Sequence, residues 1–414
     1  MFKRYNYSLF TLVKNYEGVG RRIAAFALLC LPLYDLHVTK HKNCIFALAF
    51  HIPVFGFYLI ANSMSFFLFR PCSFSKVTAF FILFNAVFLV LSCGTNNSPD
   101  VSHLKADIHI QRFEQDLFSI DTTQNTAAQL HALAQKYPDF FGLFVAQIMA
   151  FGEPSDTAKM YPILLSFIKN TDMRYLYDTC MVQYPNLSDL EADLSQSFKY
   201  VQYYLPQQHV PQVISHISAF GPAAVTVDDE LLAINLDMYM GDNFAPYNSS
   251  EFPRYLSKRF RREYIVPNSL RAYAKGIYSM TDKELPRLID QMVYEGKLLY
   301  FLDLVLPNTP DSLKIGYTQA DLTWCAKSEP EIWAFLLEQE LLYNTHANVF
   351  YKYLEEAPNT NGMPTESPGR VGVWVGWQIV RHFMQQNPNT TFDELMGIKD
   401  GQTILKQAKY KPKR

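Results

Sequence analysis

One five-residue segment has the spacing of a metal-dependent hydrolytic site without its metal ligands: Arg262-Glu263-Tyr264-Ile265-Val266. In an HExxH site, two histidines four residues apart share a helix face and bind Zn²⁺, and the glutamate beside the first histidine activates a metal-bound water. Here Arg262 and Val266 stand at the histidine positions and Glu263 at that of the glutamate. Because a guanidinium repels a cation and valine has no donor atom, we expect no zinc catalysis and no bound metal.

The residues around this segment leave alternatives open. Glu295, in MVYEGKLLYF, follows at a spacing that suits the third ligand of such a site. It either pairs locally or meets Arg262 inside a former metal pocket, where loss of one partner would strand a buried charge at about 3–5 kcal/mol. In the other interpretation, Arg261, Arg262 and Glu263 form a solvated helix face whose ion pairs contribute little.

The segment SPGRVGVWVGWQIVRHFM contains residue types suited to close helix packing. Pro368 is typical of a helix start. Gly372 and Gly376 are four residues apart and share a face, and a glycine inside a helix costs about 1 kcal/mol relative to alanine. Close approach of another helix is therefore expected there. Arg370, at the helix entrance, is a candidate for a buried pair with an acid.

Cys93 ends a long apolar run and is a candidate for lipid attachment. Residues 77–91 are apolar over a length that is short for a membrane span but typical of a signal-peptide core, and Arg70 and Lys76 precede them as a basic region. The four residues VLSC, which end at Cys93, resemble the lipobox of bacterial lipoproteins, whose cysteine receives a diacylglycerol and becomes the first residue. The alternative is a transmembrane anchor in which Cys93 is incidental.

Further apolar runs lie upstream of Met64. A lipobox behind two membrane spans would be hard to process, so we expect the open reading frame to start at Met64. The predicted order of segments is 1–63, an over-extended start or extra membrane segments; 64–92, a lipoprotein signal peptide; 93–104, a polar tether; 105–405, a globular domain; and 406–414, a basic tail.

Other residue patterns indicate no cofactor. The net charge of the 414-residue chain is −2, which does not favour binding to nucleic acid. No P-loop, GxSxG or GxGxxG motif occurs in a suitable context. Asp237 and Asp242 could hold calcium, although turn capping explains them more simply. Cys180 and Cys325 are either a disulfide or two buried thiols.

The elements that position these residues are mostly helices. Helical spacing predicts helices at 254–266, 282–303 and 369–386, among others. Apolar runs with a period of two in PQVISHISAF and AAVTVDDELLAINLDMYM predict strands between about 210 and 240, with a turn at 228–230. The predicted fold class is mainly α with a small antiparallel β-sheet (α+β), in one domain.

Several segments together are typical of one known family: RFEQDLF, YPDFFGLFVAQIMAFG, LLAINLDMYMGDNFAPY, the REY segment, MVYEGKLLYF and SPGRVGVWVGWQIVRHFM. In their order and spacing, residues 106–410 resemble the gliding-motility lipoprotein GldB family. That family is distantly similar to predicted zinc peptidases of the HExxH type. The resemblance therefore implies a zincin-like helical body whose metal site has degenerated at Arg262, Glu263, Val266 and Glu295.

The resemblance also implies a role. It indicates a lipoprotein needed for the motility and secretion apparatus of gliding bacteria, with no established enzymatic activity. We therefore expect a non-catalytic structural or assembly component of the cell envelope, anchored to a membrane through Cys93, facing the periplasm and docking with unidentified proteins of the apparatus. The alternatives are a hydrolase that uses Glu263 with Glu295 around a non-zinc centre, and a peptide- or carbohydrate-binding module beside the strands at 225–240.

Overall fold

The computed structural model describes residues 98–248, 252–281 and 283–412. The predicted upstream segment, the predicted signal peptide and Cys93 lie outside these residues. Across the described ranges, no helix has both the length and the apolar character that a bilayer crossing requires.

The described part is mainly helical with one small sheet, which confirms the predicted mainly α fold class. Its helices and strands are, in order, β1 Ile110–Arg112, α1 Phe113–Phe118, α2 Thr126–Lys136, α3 Pro138–Leu143, α4 Thr157–Lys169, α5 Thr171–Gln183, α6 Ser188–Tyr204, β2 Gln212–His216, β3 Ala224–Val227, β4 Leu231–Asn235, α7 Arg254–Ser257, α8 Ile265–Ile277, α9 Leu288–Val305, α10 Asp311–Ile315, α11 Gln319–Lys327, α12 Glu329–Glu338, α13 Ala347–Leu354, α14 Val371–Gln386, α15 Phe392–Gly397 and α16 Gly401–Ala408.

The sheet is mixed, so its prediction as antiparallel was wrong for two of its three strand pairs. The strand order is β1-β2-β4-β3. β2 runs parallel to both β1 and β4, and only the β3–β4 hairpin, with its turn at 228–230, is antiparallel. Six helices separate β1 from β2, and a connection of that length lets two strands run in the same direction. The period-two pattern predicts the strands but not which of them pair.

Alternate strand residues divide the interior into two cores. Ile214 and Ala233 face the smaller core, formed with helices α1 to α4, whereas Val213 and Leu232 face the larger core, formed with the later helices. Successive side chains of a strand point to opposite faces. The sheet is therefore covered on both sides, and β3 and β4 are buried at every position.

Helix α9 lies at the centre of the larger core and is buried on nearly all sides. α14 crosses it where two glycines meet. A Cβ at Gly376 would lie 1.8 Å from the carbonyl oxygen of Met292, and a Cβ at Gly296 would lie 2.3 Å from the backbone of Gly376. Gly372 instead faces α13, where a Cβ would lie 2.9 Å from the carbonyl oxygen of Tyr353. Gly376 and Gly372 of α14 thus allow the close approach of two different helices, α9 and α13.

The predicted helix 254–266 is broken in the structure. α7 ends at Ser257, residues Arg262–Tyr264 form a 3₁₀ turn, and α8 begins at Ile265. Pro267 explains where α8 starts, because proline lacks an N–H and clashes with the carbonyl four residues earlier, so it is accepted in the first turn of a helix only.

Both ends of the described domain extend beyond the predicted boundaries. Val101, in the predicted polar tether, is 3% exposed and belongs to the larger core. At the other end, α16 runs across the predicted boundary at 405/406 to Ala408, and Tyr410 is also buried. The predicted basic tail is therefore packed onto the domain as far as Tyr410.

Candidate functional site

Two cations on α8 face one carboxylate on α9. Arg271 and Lys275 are four residues apart, so they lie on the same face of α8. Arg271 is ion-paired and hydrogen-bonded to Glu295, and Lys275 Nζ lies 3.7 Å from the same carboxylate. Gly296, the next residue on α9, lies at the crossing with α14. This contact fixes the position of Glu295 along α9 relative to α14.

A second carboxylate is held between two arginines close by. Arg370 has a left-handed backbone conformation with φ 63° immediately before α14. Its Nη1 donates to Glu356 Oε1 at 2.9 Å and to the carbonyl oxygen of Ile315 at 3.1 Å. Arg259 Nη1 donates to the same Glu356 oxygen at 2.7 Å. The expected buried pair of Arg370 with an acid is thus present, with Glu356 as the acid.

We call these six residues the ionic cluster: Arg259, Arg271, Lys275, Glu295, Glu356 and Arg370. Burial alone would raise the pKa of Glu295, but Arg271, Lys275 and Arg370 outweigh burial and lower this pKa to about 2. Burial likewise opposes ionisation of Glu356, whereas Arg259 and Arg370 lower its pKa below the ordinary value. Both carboxylates are therefore ionised at neutral pH and are weak bases.

Several guanidinium nitrogens in this region lack an acceptor. Arg370 Nη2, Arg271 Nε and Arg261 Nε are buried and have no hydrogen-bond partner among the described residues. Arg370 itself is 3% exposed. A buried donor without an acceptor costs about 1–3 kcal/mol, so these positions favour an additional acceptor.

The residues of the REYIV segment have other partners. Arg262 is ion-paired to Asp189 on α6, and its guanidinium lies 5.2 Å from the centre of the Tyr184 ring. Glu263 is exposed and pairs with Arg261 at 3.0 Å. The segment begins in the 3₁₀ turn and ends in α8, so its first and last residues do not share one α-helix face.

The structure therefore separates the predicted pocket residues. Val266 is buried in the first turn of α8. Within the described ranges, no ion pair joins Arg262 or Glu263 to Glu295, and the residues that face Glu295 are Arg271 and Lys275. Sequence reasoning missed this pair. Arg271 and Lys275 are basic, are four residues apart and lie on the helix before that of Glu295, and this charge pattern was a usable signal. The likeness to zinc peptidases stays a prediction.

A second group of polar side chains lies at the carboxyl end of β2 and β4, and we call it the sheet-edge cluster: His216, Ser218, Asn235 and Asp237. His216 and Asn235 are partners in the register of these parallel strands. Both ring nitrogens of His216, Ser218 Oγ, Asn235 Oδ1 and Asp237 Oδ1 lack a hydrogen-bond partner in the described part of the chain. The other carboxylate oxygen of Asp237 accepts from the backbone N–H groups of Ser218 at 2.9 Å and Phe220 at 3.2 Å.

Burial shifts both titratable groups of the sheet-edge cluster. It lowers the pKa of His216 to about 3 and raises that of Asp237 to about 6. Both side chains are fully buried, so this edge is closed to a substrate in the structure. Buried polar groups of this kind are commonly satisfied by internal water.

The remaining candidates do not form a metal site. Asp242 pairs with Arg254 at 3.4 Å, whereas Asp237 caps the backbone after β2, so the two do not converge as calcium ligands. Among the described residues, no group of three or more His, Cys, Asp or Glu side chains is placed to hold a metal ion. Cys180 and Cys325 are buried free thiols and form no disulfide.

Comparison with known proteins gives one match. A family model described as "Gliding motility protein GldB" matches residues 94–412. No curated protein and no solved structure matches the chain significantly.

Proposed function

The chain belongs to the family of the gliding motility protein GldB, and from this premise we propose that it is a membrane-anchored lipoprotein that serves the motility and secretion apparatus as a non-catalytic structural or assembly component. Membership of the family implies a role in gliding motility and suggests a location in the cell envelope. The proposal adds the anchor at Cys93, the orientation toward the periplasm and the absence of catalysis.

The position of the family match supports the proposed anchor. The match begins at residue 94, immediately after the cysteine that the lipobox would make the first residue of the mature protein. The described domain starts a few residues later, and Val101 is already buried in its core. A short tether would therefore hold the domain close to the membrane surface.

The state of the carboxylates supports a non-catalytic role. General acid–base catalysis works best when the pKa of the catalytic group lies near the working pH. The pKa of Glu295 is lowered to about 2 by Arg271, Lys275 and Arg370 despite its burial, and Glu263 is exposed and bound to Arg261. Neither side chain is arranged as a hydrolytic base, so the geometry favours a role in binding other proteins over one in chemistry.

A gliding assay with two variants tests the proposal. A strain that lacks the protein is complemented with wild type, with Cys93→Ser or with Glu263→Gln, and each strain is labelled with radioactive palmitate. We expect Cys93→Ser to be unlabelled and unable to restore gliding, and Glu263→Gln to be labelled and to restore it. Glu263→Gln changes an exposed side chain, so protein levels should match wild type.

Two results would contradict the proposal. Palmitate incorporation into Cys93→Ser would show that the lipid is not attached at Cys93. Loss of gliding in a Glu263→Gln strain with normal protein level would instead favour the hydrolase that uses Glu263 with Glu295.

A further inference from the structure

The ionic cluster contains more positive than negative charge. It has four cations and two carboxylates, and a third carboxylate, Glu355, acts electrostatically on Arg370. Four cations against three carboxylates leave an excess of one positive charge. Partly buried charges are screened less than exposed ones, so this excess favours one additional negative group.

Two arginines of the cluster each keep one N–H donor that no acceptor in the described part of the chain uses. Arg370 Nη2 and Arg271 Nε are buried N–H donors without an acceptor among the described residues. Each guanidinium uses its other side for an internal partner, Glu356 for Arg370 and Glu295 for Arg271. Guanidinium groups bind carboxylates through charge-assisted hydrogen bonds, which are stronger than neutral ones.

The members of the cluster differ in how far their side chains are exposed. Arg370 is its most buried side chain, at 4% exposed, whereas the side chains of its other members are 16–28% exposed. A carboxylate of a partner would therefore contact the partly exposed Arg271 and Lys275, and the buried Arg370 would add to the attraction because the local dielectric constant there is lower.

The buried end of the cluster is also rigid. The Tyr317 hydroxyl donates to the carbonyl oxygen of Gly369 at 2.6 Å and holds the backbone next to Arg370. Gly316 has φ 82°, and a Cβ there would lie 2.7 Å from Arg259 Nη1. A site that is ordered before binding loses less entropy when a ligand arrives.

We propose that the ionic cluster is a docking site for one carboxylate of a partner protein, supplied by an acidic side chain or a free C-terminus. The inference rests on the proposed structural role and names the chemistry of the partner. A single carboxylate neutralises the excess charge, whereas a phosphate dianion would reverse it, so the charge count favours the carboxylate.

Thermal denaturation of the full chain in detergent micelles tests this site, with sodium acetate at pH 7.5 as the probe. Wild type is compared in acetate, chloride and phosphate at equal ionic strength. We expect acetate to raise Tm by about 2–4 °C relative to chloride once it is about tenfold above its Kd. Phosphate also stabilises folded proteins by exclusion from their surface, so we expect its shift to be the same in wild type and in a variant of the cluster.

A matched pair of lysine variants locates the effect. Lys275→Gln removes one charge from the cluster at a side chain that is 27% exposed, so the fold should persist. Lys399→Gln removes a lysine of an exposed ion pair with Glu284 and is the control. We expect the acetate shift to fall by at least half in Lys275→Gln and to stay at the wild-type value in Lys399→Gln.

Three results would overturn the inference: no acetate-specific shift in wild type, an unchanged acetate shift in Lys275→Gln, or a phosphate shift that falls in Lys275→Gln as far as the acetate shift does. None of these results depends on lipidation at Cys93 or on gliding, so failure of the carboxylate site is distinguishable from failure of the proposed function.

Discussion

The protonation of Asp237 is coupled to its burial. Its carboxyl is fully enclosed at the edge of β2 and β4, and burial raises its pKa to about 6, although the N–H groups of Phe220 and Ser218 oppose the shift. The folded state therefore binds the proton more tightly than the unfolded state, whose pKa is near 3.8. Stability from this group is full below pH 3.8 and is lost as the pH rises through 6.

Asp237→Asn should remove this dependence on pH, because the amide oxygen can still accept from the same N–H groups. We expect the free energy of unfolding of the variant, relative to wild type, to rise by about 3 kcal/mol between pH 4 and pH 8. Urea unfolding across this range measures it. His216 stays neutral in the folded state there, since burial lowers its pKa to about 3. A flat difference in Asp237→Asn would contradict the prediction.

At the level of single residues, the sequence indicates which side chains are unusual better than it indicates their partners. The sequence predicts that Arg370 pairs with a buried acid. It does not identify Glu356, 14 positions earlier, because the loop between α13 and α14 has no periodic pattern. Arg262 and Glu295 were candidates for one pocket because of their separation along the chain. Pro267 forces the helix to start after Arg262, and Arg262 therefore turns to Asp189 instead.

The crossing of α9 and α14 determines how closely the central helices of the fold can pack. Gly296 and Gly376 meet there, and each is placed so that a Cβ would collide with backbone atoms, which cannot move aside as a flexible side chain can. Helices ordinarily pack 8–10 Å apart according to the side chains between them. Glu295 is adjacent to Gly296 and Trp377 is adjacent to Gly376. A shift of the helices at this crossing would therefore move Glu295 and with it the ionic cluster.

Gly376→Ala should therefore destabilise the protein by about 3 kcal/mol or more, because its Cβ would lie 1.8 Å from the carbonyl oxygen of Met292. Urea unfolding gives the free energy. Gly397→Ala is the control, since a Cβ there has no heavy atom within 4 Å and should change stability by no more than about 1 kcal/mol. Equal stability of the two variants would show that the helices separate at little cost.

The sequence predicts the elements more reliably than their pairing. Periodicity predicts a helix at 369–386 and the strands after residue 210, because it reports the face that each element buries. The structure has this helix at Val371–Gln386. The same pattern does not contain strand direction, so β1 was not placed in the sheet and the pairing of β2 with β4 was taken as antiparallel. Strand order and strand direction depend on contacts between segments that are far apart in the chain, and no single segment encodes them.

On the scale of the whole molecule, the C-terminal residues tie distant helices together. After α14, the chain passes α15 and returns along α9, where the Gly401 N–H donates to Asp290 at 2.9 Å and Lys297 Nζ donates to the carbonyl oxygen of Ile398 at 2.6 Å. The basic composition of the last residues suggested a loose tail. Ala408 and the one aromatic residue, Tyr410, pack these residues against the domain, and two apolar residues carry little periodic signal.

Tyr410 joins the C-terminal residues to α12 and α14, which are far apart in the chain. Its hydroxyl donates to Glu329 at 2.7 Å, and its ring meets Trp333 of α12 edge-on, with centroids 5.1 Å apart, and His382 of α14, with centroids 5.3 Å apart. We expect Tyr410→Ala to lower the free energy of unfolding by about 3–4 kcal/mol, since it removes these ring contacts and leaves a cavity. Tyr410→Phe keeps the ring and should cost about 1 kcal/mol for the lost hydrogen bond.

Chemical denaturation of the full chain in micelles separates these contributions, with the exposed neighbour Lys411→Ala as the matched control, expected within about 0.5 kcal/mol of wild type. The graded order Ala, Phe, wild type is the informative result, because a loose tail would give three equal curves. If Tyr410→Ala unfolds with the wild-type midpoint, residues beyond α16 contribute nothing to the fold, and the domain ends with α16.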